Sequence, residues 1–259
     1  MTIIARILSA VLAVAFFLFA GPAQADIKKG WIDYSHGTKK LKAYVVHDDA
    51  QSGKRPAILM LHGQDGMSPN TRLLAERFAK FGYVSFAADI FGFGEGILPK
   101  DVAESREQTM IYRSDRALMR ARTQAGFDAL AAHPLVDSAR IAVVGFCFGG
   151  DVGFEFGSTG APLAANIAIH GSFSKYEPSW AKNAKGRFLI LHGSEDKPYP
   201  LTVVNRVIDE LRGANVPFQV EIYGGVGHGF YKPANKAEER ALELSFASTA
   251  RNLREVFGD

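Results

Sequence analysis

From Leu41 onward, short runs of apolar and β-branched residues alternate with helix-length stretches whose apolar positions recur every three to four residues. LKAYVV (41–46), AILML (57–61) and YVSFAAD (83–89) read as strands. The second is apolar throughout, as a strand covered on both faces should be. TRLLAERFAKF (71–81) reads as a helix, with Ser68 placed to cap it and Pro69 at its first position. Residues 102–132 are charged and helical, in two pieces. IAVVG (141–145), AANIAIH (164–170), RFLILHG (187–193) and FQVEIYG (218–224) are further strands. Helices are expected after Phe148, over 201–212 and over 234–256. Such alternation predicts an α/β fold, a mostly parallel central sheet with helices on both faces. No repeat, low-complexity tract or linker interrupts residues 26–259, which read as one domain.

The first 25 residues follow a different pattern. Arg6 precedes an apolar stretch from Ile7 to Ala20, and GPAQA then offers a small-residue cleavage site at Ala23-Gln24-Ala25. This is the pattern of a secretory signal peptide, with the mature chain beginning near Asp26. The alternative, an uncleaved anchor, is disfavoured because the apolar core is short of the ~20 residues a span needs. The expected location is therefore outside the cytoplasm: periplasmic in a Gram-negative bacterium, secreted otherwise, with no stable membrane association once the signal is removed.

Charge adds little. The formal net charge is +3, Arg6 included, and no dense Lys/Arg cluster appears, which argues against nucleic acid as a partner. Cysteine usage is more telling. A secreted chain with a single cysteine, Cys147, has no internal disulfide, so packing must hold it together. The thiol is then either buried and inert or kept for chemistry.

In a sheet of this kind ligand chemistry gathers where the carboxyl ends of strands meet loops. His62, Asp89, Cys147, His170, His192, Asp196 and His228 all fall there. Gly145-Phe146-Cys147-Phe148-Gly149 has the form G-x-C-x-G, with cysteine in the serine position of a nucleophile elbow, between a strand and a helix. The glycines relieve crowding at a turn too tight for neighbouring Cβ atoms.

A thiol with an unperturbed pKa of ~8.5 needs a base. On this scaffold the chain order is nucleophile, acid, histidine. His228, in YGGVGHGFYK after the last strand, is in the right place for the base. His170 and His192 each end a strand as "HG", a structural position. Asp196, in LHGSEDKPYP, is the acid that would orient the imidazole, with Glu195 as runner-up. The expected oxyanion donors are the backbone N–H groups of Phe148 and Gln64, the latter in His62-Gly63-Gln64-Asp65-Gly66. No ligand spacing supports a metal at His62 and Asp65. FGFGEG (91–96) lacks the full dinucleotide fingerprint and reads as a rim loop.

VVGFCFGG, LHGSEDKPYP, GGVGHGF and GYVSFAADIFGFGEG together resemble the dienelactone hydrolase family, from about residue 40 to the end. The resemblance implies an α/β-hydrolase fold and a Cys147–His228–Asp196 triad. It further implies hydrolysis of small esters or lactones through a thioester acyl-enzyme, with no cofactor or metal. In dienelactone hydrolases an arginine in an R-E-Q segment and a basic residue after the histidine hold a substrate carboxylate. Arg106 and Lys232 stand at those places. Gly63 stands where better-known members carry a glutamate that restrains the resting thiol, so direct pairing of His228 with Cys147 is expected. The competing reading is a non-catalytic small-molecule-binding or thiol redox-sensing protein on the same scaffold.

Overall fold

The computed structural model describes residues 26–173, 176–177 and 179–258. The expected signal peptide lies outside them. The strands are β1 (Ile27–His36), β2 (Lys39–Asp48), β3 (Arg55–Leu61), β4 (Val84–Ala88), β5 (Val136–Phe146), β6 (Ala165–Ile169), β7 (Arg187–Gly193) and β8 (Phe218–Tyr223). The helices are α1 (Pro69–Ala79), α2 (Val102–Ser114), α3 (Arg116–Ala131), α4 (Phe148–Gly157), α5 (Leu201–Gly213) and α6 (Lys236–Phe257).

The eight strands form one sheet in the order β1-β2-β4-β3-β5-β6-β7-β8. β1 and β2 pair antiparallel, β2 meets β4 antiparallel, and every later pairing is parallel. Period-two alternation sorts the core into two layers. Ile58 and Met60 of β3 face Leu74 and Phe78 of α1 and Phe246 and Leu253 of α6. Leu59 and Leu61 face the opposite layer, with Met119 and Phe127 of α3 and Val152 and Phe156 of α4. Phe188 and Ile190 of β7 extend this second layer beneath Val204, Val207 and Leu211 of α5.

Two boundaries differ from the pattern-based expectation. β1 was not foreseen: six of its ten residues are exposed, and Lys28, Lys29 and Gly30 blur its alternation. It is an edge strand held by ten register pairs with β2. α6 begins at Lys236 rather than Ala234 because Asn235 caps it, its side chain accepting from the Glu238 N–H at 3.0 Å. At α1 the expected cap holds: Ser68 Oγ accepts from the Thr71 N–H at 3.2 Å.

α4 has no amphipathic stripe, because all ten of its residues are buried. It sits behind the centre of the sheet under α2 and α3. Its buried acids are neutralised by arginines from that cover. Arg113 and Arg116 reach Asp151 at 3.5 and 3.3 Å, and Arg116 and Arg120 reach Glu155 at 3.4 and 2.5 Å. Stripping either acid of its partners would leave a buried charge uncompensated. The network therefore fixes how α2 and α3 lie over the helix that carries the elbow.

Candidate active site

β5 runs from the sheet into a turn at Cys147, whose φ of 53° and ψ of −117° lie outside the regions L-residues favour. The flanking chain passes too close for side chains. A Cβ on Gly145 would stand 2.0 Å from the Gly149 carbonyl oxygen, and one on Gly149 would stand 2.1 Å from that of Leu61. These contacts hold the strain in place, at a cost of ~1–3 kcal/mol for such a backbone conformation. The turn also puts Cys147 at the N-cap of α4, at the positive end of the helix dipole.

Asp196 and His228 come from the loops after β7 and β8, and backbone contacts tie those loops together. The Ser194 N–H donates to the Tyr223 carbonyl and the Glu195 N–H to that of Val226, both at 2.9 Å. Asp196 is thereby turned inward and buried, whereas Glu195 is exposed. Asp196 Oδ2 lies 2.7 Å from His228 Nδ1, and its Oδ1 accepts from the Tyr199 N–H at 3.0 Å. With Nδ1–H donating to the carboxylate, Nε2 is left facing Cys147 Sγ at 3.1 Å.

The electrostatics follow from that line. Burial pulls the His228 pKa down, but the Asp196 hydrogen bond and the Cys147 thiolate outweigh it and hold the value at about 9. His228 therefore keeps its proton near neutrality, opposite the sulfur. His192 also lies near the acid, 3.5 Å from Asp196 Oδ2, but its Nε2–H donates to the Tyr199 carbonyl at 2.8 Å. His62 is likewise committed. Its Nε2 accepts from the Ile90 N–H at 3.2 Å, so its Nδ1–H donates to the Gly63 carbonyl at 2.8 Å. His170 stacks edge-on against His228, with ring centroids 5.1 Å apart.

The Phe148 N–H opens the first turn of α4, where no intrahelical acceptor exists. Gln64 lies in the turn closed by the Gly66 N–H on the Gly63 carbonyl. Position 63 is closely bordered by the Asp65 and Tyr231 side chains. A Cβ there would come within 3.1 Å of Asp65 Oδ1 and 3.2 Å of the Tyr231 hydroxyl. The direct Sγ–Nε2 approach is the arrangement expected without a glutamate at this position.

The two substrate-binding residues expected from sequence have different surroundings. The Arg106 side chain is exposed on α2 and forms no ion pair among the described residues. Lys232 is committed to Asp65, Nζ to Oδ2 at 2.8 Å. Arg113, which sequence reasoning missed, turns inward instead. It donates to Ser172 Oγ at 2.9 Å and to the Tyr199 hydroxyl at 3.2 Å, and lies over the Phe148 ring. The Ser172 N–H in turn donates to the Cys147 carbonyl at 3.3 Å. Arg106 and Arg113 share a helix face but stand seven residues, about 10 Å, apart along it. A cleft of about 480 Å³ opens beyond Ser172 and Tyr199, walled by Phe173, Tyr176, Val203 and Val207.

A strained strand-to-helix elbow, a loop acid and a loop histidine around the carboxyl ends of a mostly parallel sheet define an α/β-hydrolase. Within that class the chain belongs to the dienelactone hydrolase family, whose model matches residues 41–257. Among curated proteins it is similar to the carboxymethylenebutenolidase homologs of Rattus norvegicus and Mus musculus, at 28% and 25% identity. Each match covers 91% of this chain and 96% of the relative. Among solved structures it is similar to a dienelactone hydrolase-like promiscuous phosphotriesterase from metagenomic libraries. That match has 29% identity and a TM-score of 0.84, and covers 90% of this chain and all of the other.

Proposed function

We propose that the protein hydrolyses small carboxylic esters or lactones through a covalent thioester on Cys147. The observation that carries this reading is the unbroken line from Asp196 through His228 to Cys147 Sγ, with contacts of 2.7 and 3.1 Å. The thiolate attacks the carbonyl carbon, and the electron pair moves onto the carbonyl oxygen. The Phe148 and Gln64 N–H groups receive that oxyanion. Collapse expels the alkoxide, which takes the Nε2 proton of His228. The neutral imidazole then draws a proton from water as it attacks the thioester, and the acid leaves as the thiol pair is restored. Asp196 holds the tautomer throughout and stabilises the imidazolium.

For substrate preference, Arg113 replaces Arg106 and Lys232 as the cation offered to a carboxylate, because it lies between Ser172 and Tyr199 beside the elbow. Export of the mature chain is part of the same reading and rests on Arg6, the apolar run and GPAQA. The test is turnover of p-nitrophenyl acetate and a small lactone by residues 26–259. Measurable kcat/KM that falls at least ~10⁴-fold in Cys147→Ala supports the reading. Undiminished turnover in that variant, or none in the wild type on any ester or lactone, contradicts it.

A further inference from the structure

His170 has no task in acyl transfer. Its ring is fully buried, and neither nitrogen has a hydrogen-bond partner among the described residues. Its backbone is held at a φ of 42°. Buried polar groups without partners call for an explanation. The surroundings supply one. A His170 ring nitrogen, Cys147 Sγ and a His228 nitrogen all lie within 4.8 Å of one another. We propose that Cys147, His170 and His228 form a thiolate–bis-imidazole site for a zinc ion, which occupies nucleophile and base together and switches the hydrolase off reversibly.

The donor set suits zinc, which takes one thiolate and two neutral imidazoles and keeps a fourth, open position for water. Zn–S near ~2.3 Å and Zn–N near ~2.0 Å at a tetrahedral angle separate the ligand atoms by roughly 3.5 Å. The Sγ–Nε2 distance of 3.1 Å would therefore open slightly, and His170 would close by about an ångström. The outer contacts are already in place. Asp196 accepts from Nδ1 of His228 at 2.7 Å, the carboxylate–histidine arrangement that fixes a metal-binding tautomer and leaves Nε2 as the ligand atom. Binding releases to solvent the proton shared by Cys147 and His228, and no electron is exchanged.

The experiment titrates chelator-stripped protein with Co²⁺ and then Zn²⁺. One Co²⁺ per chain should produce thiolate-to-cobalt charge-transfer absorption that Zn²⁺ displaces and that Cys147→Ala lacks. Zn²⁺ should also inhibit ester turnover, with recovery on adding a chelator. His170→Ala should weaken Zn²⁺ binding and inhibition tenfold to a hundredfold or more, each read against the variant's own metal-free rate. Absence of the thiolate–cobalt band, or equal Zn²⁺ affinity with and without His170, overturns the proposal. Should His170→Ala not fold, X-ray absorption of the zinc-loaded wild type decides. One sulfur and two imidazoles support the site; one sulfur and one imidazole refute it. The cobalt spectrum needs no substrate, so a chain that binds cobalt through Cys147 but hydrolyses nothing would sink the hydrolase reading alone.

Discussion

Two glycine-rich loops leave the parallel strands on either side of β3, and they use their glycines to opposite ends. GFCFGG follows β5 and wraps around a thiol that it lifts out of the sheet. FGFGEG follows β4 and wraps around a carboxylate that it hides. Asp89 is fully buried and accepts from the N–H groups of Gly92, Gly94 and Lys42 at 2.7, 3.0 and 3.1 Å. Gly94 is pressed on the backbone of Lys40 and Leu41, so the loop seals the sheet at β2. In the first loop the Cys147 and Gly150 N–H groups go to the Ile169 and Cys147 carbonyls, and the Phe148 N–H is left for an incoming group. In the second the Gly92, Gly94, Glu95 and Gly96 N–H groups are spent on residues already present. Glycine marks close backbone approach in both, and the polar atoms decide whether that approach makes a reactive site or a clasp.

Alanine in the two loops should separate these roles most sharply. Gly149→Ala forces a Cβ to 2.1 Å from the Leu61 carbonyl oxygen, which only displacement of the elbow can relieve. Thermal unfolding should show a loss exceeding ~3 kcal/mol, beyond ordinary overpacking, and any folded fraction should be inactive. Gly94→Ala meets Lys40 O at 2.7 Å and should cost ~1–3 kcal/mol. Its folded fraction should keep kcat within a few-fold. Equal kinetic damage in both variants would erase the distinction.

Charge removal is the next largest effect. Asp89→Asn keeps the shape but weakens bonds to three backbone donors, for about 2 kcal/mol of stability by chemical denaturation and little change in kcat/KM. Asp196→Asn should do the reverse. It removes the partner that holds the His228 pKa at about 9. The imidazolium must protonate the leaving alkoxide, so acylation should be retained below that value and lost as pH rises through it. In Asp196→Asn the descending limb of the kcat/KM profile should move down toward the unperturbed ~6.5, with a rate loss of ~10²–10⁴-fold. A limb that does not move would detach Asp196 from the base.

The smallest effect concerns selection. Arg113→Met should cost roughly ten- to a hundred-fold in kcat/KM on an ester bearing a carboxylate, and much less on its uncharged methyl ester. Arg106→Ala should leave that ratio unchanged, because its side chain is exposed two turns earlier on α2.

Much of this site was legible in the chain, for identifiable reasons. A fully apolar strand, a glycine-flanked cysteine and the order Cys147, Asp196, His228 are local signals, and the fold converts that order directly into proximity. Loop position offered Asp196 and Glu195 together, and burial separates the two. Arg113 was not legible, because its phase on α2 equals that of Arg106 and only tertiary packing shows which turn meets the elbow. The partnerless state of His170 was equally hidden, since "HG" at a strand end says nothing about hydrogen bonds. β1 escaped because an exposed edge strand has too little alternation to read.

The central claim is that the elbow presents Cys147 as the atom that becomes acylated. Intact-mass analysis during turnover of a slow ester tests it most directly. The account predicts one acyl group per chain, mapped to the peptide holding Cys147, absent in Cys147→Ala and accumulating when His228→Ala is given a preactivated ester. An acyl adduct that persists in Cys147→Ala, or turnover with the ester fully consumed and no adduct trapped on Cys147 under quench, would contradict it.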